Sequence, residues 1–343
     1  MASNAESNPT EVKPVIGITL GDFNGIGPEV ALKSVASPQV QNACRPVLIG
    51  PADMYPYFST LFNLRVSLEV LPAPNRLFSW ENVAVLNIGG KKKFRITPGT
   101  FTRKSGLLAG ESLAYAALLC RKGELDAMVT SPVSKEALHA AGYHFPGQTD
   151  MLAAYTRSRN VVMMFVSGST RVALATIHIP IKKVAPTLTR QFLSGKLTTI
   201  LLSLKEDFGI TSPRIALMGL NPHAGEDGTL GKEEQTTILP VVKKFQKQGH
   251  RIEGPFPADG FWAKERHRNY DLTLAMYHDQ GLIPFKMQFF STGVNFSAGL
   301  PIIRTSPDHG TAFDIAGKGQ ANPQSMIHAI ILAAHIAKRR KRL

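Results

Sequence analysis

Short apolar runs recur along this chain, each followed by turn residues and then a helix-patterned stretch. They read PVIGITL (residues 14–20), RPVLIG (45–50), VALATI (172–177), RIALMGL (214–220) and LTLAMY (272–277). Runs this short that are apolar at consecutive positions are strands buried on both faces, as in a largely parallel sheet covered by helices. The alternation predicts an α/β fold. Pro28 follows a glycine turn where a helix would begin, and its missing N–H costs nothing there. Residues 105–123, SGLLAGESLAYAALLCRKG, predict a helix closed by glycine, and LDAMVTSPVSKEAL (125–138) predicts strand, loop and helix start. A final helix is expected from about Pro323 to Lys338, with Met326, Ile327, Ile330, Ala334 and Ala337 on its apolar face. There is no internal repeat and no long linker, so structured chain must cross any domain boundary.

Composition narrows the class. At 343 residues and 43% hydrophobic content the chain can bury a sizeable core. Its longest apolar stretch, residues 326–337, is interrupted by His328 and His335. It also falls short of the ~20 residues needed to cross a bilayer, so no membrane span is expected. The polar opening MASNAESNPTEVKP lacks a signal-peptide core and predicts a disordered lead-in over residues 1–13. Cys44 and Cys120 lack metal or redox spacing, which points to a reducing, cytoplasmic setting. The net charge is +14, and five of the positive charges lie in the closing KRRKRL. Cations there complement a helix C-terminus. A nucleic-acid-binding tail is the remote alternative, and no nucleic-acid motif accompanies it. Acidic small substrates account equally well for the rest of the basic balance.

Three runs end in histidine: His178 in ATIHIP, His223 in GLNPHAGE and His278 in MYHDQG. Ligands of open α/β sheets collect outside the carboxyl ends of the strands. Three imidazoles delivered there could hold one divalent ion and leave a coordination position open; alternatively, each caps a local turn. LPIIRTSPDHGT (300–311) places Arg304 at the end of an apolar run, followed by Ser306-Pro307-Asp308, which reads as a helix start. Arginine suits bidentate recognition of phosphate or carboxylate, and a surface ion pair is the other reading. Lys286, in IPFKM, is either a snorkelling lysine or a site lysine. The glycines of GDFNGIGPE do not match the dinucleotide fingerprint G-x-G-x-x-G.

Taken together, GDFNGIGPE, TSPVSKEAL, FPGQTD, TIHIPI, LNPHAGEDG, YHDQGLIPFK and GVNFSAGLPIIRTSPDHGTAFDIAGKG resemble the 4-hydroxythreonine-4-phosphate dehydrogenase family, with its phosphothreonate and phosphoerythronate dehydrogenase relatives. The resemblance spans residues 21–319 in the family's order. It implies an isocitrate/isopropylmalate dehydrogenase-like fold, with two α/β domains flanking a central cleft, and a homodimer with active sites near the interface. The first domain would take residues 14–135 and 290–343. The second, residues 136–289, would carry most metal ligands and the dimer contact. By the same resemblance His178, His223 and His278 bind the metal, one of them supplied by the partner subunit. Gln148, Thr149, Lys286, Asn295 and Arg304 would meet the substrate. Three stretches depart from the family: in the first, Gln148 stands where a histidine is usual and Asp150 where glutamate is. Phe23-Asn24 replaces Pro-Ala, and Gly260 replaces a common threonine. Glutamine can donate a hydrogen bond but carries no positive charge.

The activity implied is oxidation of a phosphorylated 3-hydroxy acid, 4-phosphohydroxy-L-threonine, by NAD or NADP with one divalent ion (Zn, Mg or Co). The β-keto acid formed would lose carbon dioxide to give 3-amino-2-oxopropyl phosphate, on the route to pyridoxal phosphate. Asp279 and Lys286 are the candidates for proton handling and charge stabilisation, Asp279 equally for orienting the adjacent metal ligand; Asp259 is a further cleft acid. The alternatives are a dehydrogenase of 4-phosphothreonate or 4-phosphoerythronate, and a histidine-metal hydrolase or lyase without NAD.

Overall fold

The structure is a computed structural model that describes residues 12–72, 82–89 and 95–341. The lead-in expected over residues 1–13 therefore lies almost wholly outside the described residues. The strands are β1 (Val15–Thr19), β2 (Arg45–Gly50), β3 (Leu68–Leu71), β4 (Val83–Asn87), β5 (Ala127–Val129) and β6 (Val162–Ser167). They continue with β7 (Thr170–Leu174), β8 (Arg214–Met218), β9 (Arg251–Phe256), β10 (Leu272–Ala275), β11 (Val294–Ala298) and β12 (Arg304–Pro307). All belong to one sheet, in the order β3-β4-β2-β1-β5-β12-β11-β6-β7-β10-β8-β9. The runs predicted from apolarity form its interior: β1 and β10 are buried at every position. One contiguous apolar cluster runs from Ile18 and Val129 through Val162 and Phe296 to Leu217 and Leu274 and so spans both flanks of the sheet, with three smaller clusters beside it among the described residues.

Every pairing in the flank β3-β4-β2-β1-β5-β12 is parallel. So is every pairing in β7-β10-β8-β9. Between the flanks, β12–β11, β11–β6 and β6–β7 are antiparallel, so the two flanks run in opposite directions. A largely parallel expectation misses this centre, and the cause is local. β6 and β7 form a hairpin closed by Gly168 and Ser169, with Gly168 at φ +57. A two-residue hairpin turn needs positive φ at its first position, and glycine supplies it without strain.

The expected helices are present at Gly27–Val35, with Pro28 in its first turn, at Arg103–Arg121 and at Gln324–Arg340. Cations at the end of the last helix pair with acids: Arg340 Nε lies 2.7 Å from Asp207 Oδ1, and Lys341 Nζ 2.9 Å from Asp126 Oδ2. That use within the fold fits the reading of the basic tail as helix C-terminus. Among the described residues no helix is long and apolar enough to cross a membrane.

One close approach sets a stability test. The Arg103–Arg121 helix meets the Lys135–Ala140 helix at Gly106, where a Cβ would lie 1.9 Å from the carbonyl oxygen of Ala137. The obstacle is backbone and cannot swing aside. Gly106→Ala is expected to destabilise the fold by about 1–3 kcal/mol, despite the better helix propensity of alanine. The readout is a lower denaturant midpoint at unchanged slope; a midpoint at or above the parent's would refute the contact.

Candidate active site

The antiparallel centre of the sheet carries the site. Asn295 on β11 lies directly opposite Phe165 on β6 and Ser306 on β12, so the three side chains share one face. Two residues along each strand, on the same face, come Met163, Ser297 and Arg304. All of these but Ser297 line a cavity of about 280 Å³, near the low end of the roughly 300–1,000 Å³ usual for ligand sites. The His278–Phe289 helix walls one side with Leu282 and Lys286, and the start of the Gln148–Thr156 helix walls another. The cavity is thus on a face of the sheet. His178 and His278 reach it beyond the carboxyl ends of β7 and β10, Thr130 and Pro132 beyond that of β5, and Asp308 and His309 beyond that of β12, while the floor comes from the strands themselves.

Ser306-Pro307-Asp308 also departs from expectation. It does not begin a helix: Arg304–Pro307 is β12. Proline is tolerated at position 307 because β5 pairs only with Arg304 and Thr305, so no ladder bond is asked of it on that side. The turn after the strand brings Asp308 and His309 to the cavity wall.

Arg304 is 3% exposed and hydrogen-bonds only to hydroxyls. Its Nε and Nη2 donate to Thr130 Oγ1 at 3.0 and 2.7 Å, and its Nη1 to Ser297 Oγ at 3.1 Å and Thr149 Oγ1 at 3.3 Å. Among the described residues no carboxylate pairs with it. Burial pulls its pKa down to about 10, so it stays charged at neutral pH. A buried cation held by neutral groups is costly unless an anion arrives to meet it. The surface ion pair is thereby excluded as a reading of this residue.

Lys286 Nζ lies 2.9 Å from Asp308 Oδ1 and donates to the Asp308 carbonyl at 3.2 Å, at the cavity edge. Burial raises the Asp308 pKa against the opposing pull of Lys286. Gln148 donates from Nε2 to Ser131 O at 3.2 Å, which leaves its Oε1 facing inward without a partner. Asn295 Oδ1, Asp308 Oδ2 and His309 Nε2 are likewise buried and unpartnered. His309 bonds through Nδ1 to Gly310 O, and burial lowers its pKa, so its Nε2 presents a lone pair. The cavity therefore asks its ligand for both an anion and hydrogen-bond donors.

The rings of His178 and His278 stand 5.8 Å apart, centroid to centroid, at one end of the cavity. His278 Nδ1 donates to Asp279 Oδ1 at 2.6 Å, which fixes the tautomer and leaves Nε2 free to bind. Partial burial, then the nearby Lys135 and His278, lower the His178 pKa, with Asp150 opposing, which favours the neutral form that can ligate. His223 lies elsewhere, exposed on the turn after β8, and does not line the cavity. Among the described residues no group of three metal-capable side chains forms within one chain. Asp279 and Asp259 do not line the cavity either, Asp259 being exposed near the start of the Ala258–Ala263 helix.

Residues 42–333 match the model of one family, the pyridoxal phosphate biosynthetic protein PdxA. The chain belongs to the PdxA family. Relatives within it are similar end to end. The 4-hydroxythreonine-4-phosphate dehydrogenase of Prosthecochloris aestuarii is 42% identical, over 93% of this chain and 96% of its own. The D-threonate 4-phosphate dehydrogenase of Cupriavidus necator is 40% identical, over 95% and 98%. The solved 4-hydroxythreonine-4-phosphate dehydrogenase structure from Klebsiella pneumoniae superposes with a TM-score of 0.86 at 36% identity, covering 96% of this chain and 100% of that one. The reading of the sequence as a member of this family holds. Of the cavity residues, PdxA-like motifs pointed to Gln148, Thr149, Lys286, Asn295, Arg304, His178 and His278. Thr130, Ser297 and His309 were not singled out as site residues, and Asp308 entered only as part of a helix start. For His309 a fainter signal was present: an ionisable pair, Asp308-His309, directly follows a strand, but that strand, RTSP, is itself polar.

Proposed function

We propose that the chain is a metal-dependent NAD(P) dehydrogenase that oxidises the hydroxyl of 4-phosphohydroxy-L-threonine. The observation that carries this reading is Arg304, a buried cation with no acid, on the floor of a cavity otherwise rich in unpartnered acceptors. Such a lining suits a small phosphorylated acid that also bears hydroxyl and ammonium donors. The names of two relatives, 4-hydroxythreonine-4-phosphate dehydrogenase and D-threonate 4-phosphate dehydrogenase, support a phosphorylated hydroxy acid as substrate, the first of them one with an amino group.

In this reading His178 and His278 hold a divalent ion together with His223 of a second copy. When bound, the ion lowers the pKa of the substrate hydroxyl and the dinucleotide supplies the hydride acceptor. Arg304 binds an anionic end of the substrate, and Gln148 and Asn295 orient its polar groups. Asp279 holds the His278 tautomer rather than facing substrate. The oxidised product is a β-keto acid, which loses carbon dioxide because the bond electrons pass into the ketone. Lys286 Nζ is placed at the cavity edge to stabilise the developing enolate and to return a proton. The two oppositely directed flanks of the sheet would act as the two domains of an isocitrate/isopropylmalate dehydrogenase-like fold, with boundaries near residues 135 and 290.

A second copy is supported by one exposed apolar stripe. Ile283, Met287 (82% exposed) and Phe290 (70% exposed) follow at i, i+4 and i+7 on and just beyond the His278–Phe289 helix. That stripe begins within two turns of His278, beside the metal end of the cavity.

The reading is tested by assaying 4-phosphohydroxythreonine beside 4-phosphothreonate and 4-phosphoerythronate, each with NAD or NADP and Mg²⁺, Zn²⁺ or Co²⁺. Dinucleotide reduction with the amino acid and little with the others is expected. The reverse order would favour the D-threonate 4-phosphate type of activity, and no reduction by any would end the dehydrogenase reading. Gln148 gives a further handle. The Gln148 amide presents an acceptor oxygen to the cavity, whereas a protonated imidazole there would present a charged donor, worth about 1 kcal/mol or more to an anion. Gln148→His is expected to lower KM about 5-fold at pH 6, and less at pH 8 where the ordinary imidazole is neutral. An unchanged KM at both values would show that position 148 does not reach an anionic group of the substrate.

A further inference from the structure

Five consecutive residues on the turn after β8 hold left-handed backbone: His223, Ala224, Gly225, Glu226 and Asp227, with φ of 51, 52, 84, 43 and 53. Only glycine adopts this region freely, and each of the other four costs roughly 1–2 kcal/mol. A turn so strained persists only where its surroundings over-determine it, and such turns cluster at functional sites. Here the surroundings are one carboxylate.

Glu234 is 3% exposed. Its Oε1 accepts from the backbone N–H of Leu220 and of Asn221, both at 2.7 Å, and its Oε2 accepts from Asn221 Nδ2 at 2.9 Å. Asn221 Nδ2 also donates to Glu233 Oε2 at 2.8 Å. The turn closes on this carboxylate. A Cβ at Gly225 would lie 2.6 Å from Glu234 Oε2, and one at Gly231 would lie 2.2 Å from Asn221 Nδ2. The chain entering the turn is thus tied at Leu220 and Asn221, and the turn itself packs over the same acid. His223, two residues past the tie, is left exposed, and among the described residues its ring has no partner.

We propose that Glu234 is a positioning residue for metal binding. Its buried carboxylate holds the left-handed turn that presents the His223 imidazole outward, to the metal site of a second copy. This rests on the reading of His223 as a ligand. It adds that the ligand's geometry is set by an acid eleven residues further along the chain. Glutamine cannot replace that acid. Its amide nitrogen would face either the two backbone N–H groups or the Asn221 amide, donor against donor.

The test titrates Co²⁺ into the metal-free full-length protein, at a concentration where its association state is verified for each variant. Ligand-field absorbance reports binding, and far-UV circular dichroism reports folding. Glu234→Gln is expected to weaken Co²⁺ binding about 10–100-fold, the range for residues that orient metal ligands. Asn221→Ala keeps both backbone bonds to Glu234 and is expected to weaken binding less, by about 3-fold, within the same principle. Glu233→Gln still offers an oxygen to Asn221 and is expected to bind Co²⁺ as the parent does. His223→Ala is the reference. If it weakens binding while folded Glu234→Gln matches the parent, the positioning role is overturned and the ligand reading stands. If His223→Ala itself binds like the parent, both fall. Should Glu234→Gln not fold, Asn221→Ala decides: parent-like affinity overturns the proposal.

Discussion

Arg304→Met is expected to lower kcat/KM by roughly 10²- to 5 × 10³-fold while leaving the fold as stable as before, or more so. The two effects have one cause. In the free protein the guanidinium is buried among the hydroxyls of Thr130, Thr149 and Ser297 with no described acid to neutralise it. Folding bears the desolvation cost of that charge, and methionine of similar length removes it; replacing buried ionic groups by apolar ones is often neutral or stabilising. With the substrate bound, the balance inverts. An anion in the cavity would lose its charged partner, which costs about 3–5 kcal/mol when the remaining charge stays buried. At 1.36 kcal/mol per tenfold, that sets the size of the loss. Because an anion contact acts on ground and transition states alike, most of the loss is expected in KM. Arg304→Lys should rescue little, since an ammonium cannot reproduce the planar fork that reaches three hydroxyls and a ligand at once. A variant that unfolds several degrees early and loses activity only in proportion would make Arg304 a structural residue.

That the site lies on a sheet face explains what was legible beforehand and what was not. Strands buried on both faces announce themselves by apolarity at every position, as β1 and β10 do. The abrupt change after Met276 and Tyr277 marks where β10 leaves the core, and His278 begins a helix at the cavity's edge. The centre was harder. β6, VMMFVS, is as apolar as the others, but its antiparallel turn is written only in Gly168 and Ser169. The floor formed by Phe165, Asn295 and Ser306 cannot be foreseen either, since it depends on the register of β6 against the β11–β12 pair, which lies far along the chain. The misreading of Ser306-Pro307-Asp308 has the same origin. Ser-Pro-Asp has the chemistry of a helix start, and only the end of β5 two residues earlier lets proline finish a strand there. Single residues with a demanding chemistry, such as Arg304 and His178, stood out. Their neutral partners, Thr130 and Ser297, did not, because a hydroxyl in a strand has no distinctive pattern until something charged is placed against it.

Replacing either cavity imidazole should have the larger effect on turnover. His178→Ala and His278→Ala are each expected to lower kcat at least ~10³-fold, since a bound divalent ion supplies several kcal/mol of charge stabilisation. KM for the phosphorylated substrate should change far less, as Arg304 remains in place. Such a split would separate the two proposed roles, substrate binding at Arg304 and chemistry at the histidine pair. The structure also sets a graded control. Asp279 accepts from His278 Nδ1 at 2.6 Å, so Asp279→Asn keeps the imidazole but weakens the hold on its tautomer. It is expected to reduce metal affinity about 10–100-fold while saturating metal restores much of the rate. The alanine variants have no such recovery, because a missing ligand cannot be replaced by concentration alone. If His178→Ala instead turned over within about threefold of the parent at saturating substrate, the 5.8 Å approach of the two rings would have to be explained without a shared ion, and the catalytic assignment of that end of the cavity would fall.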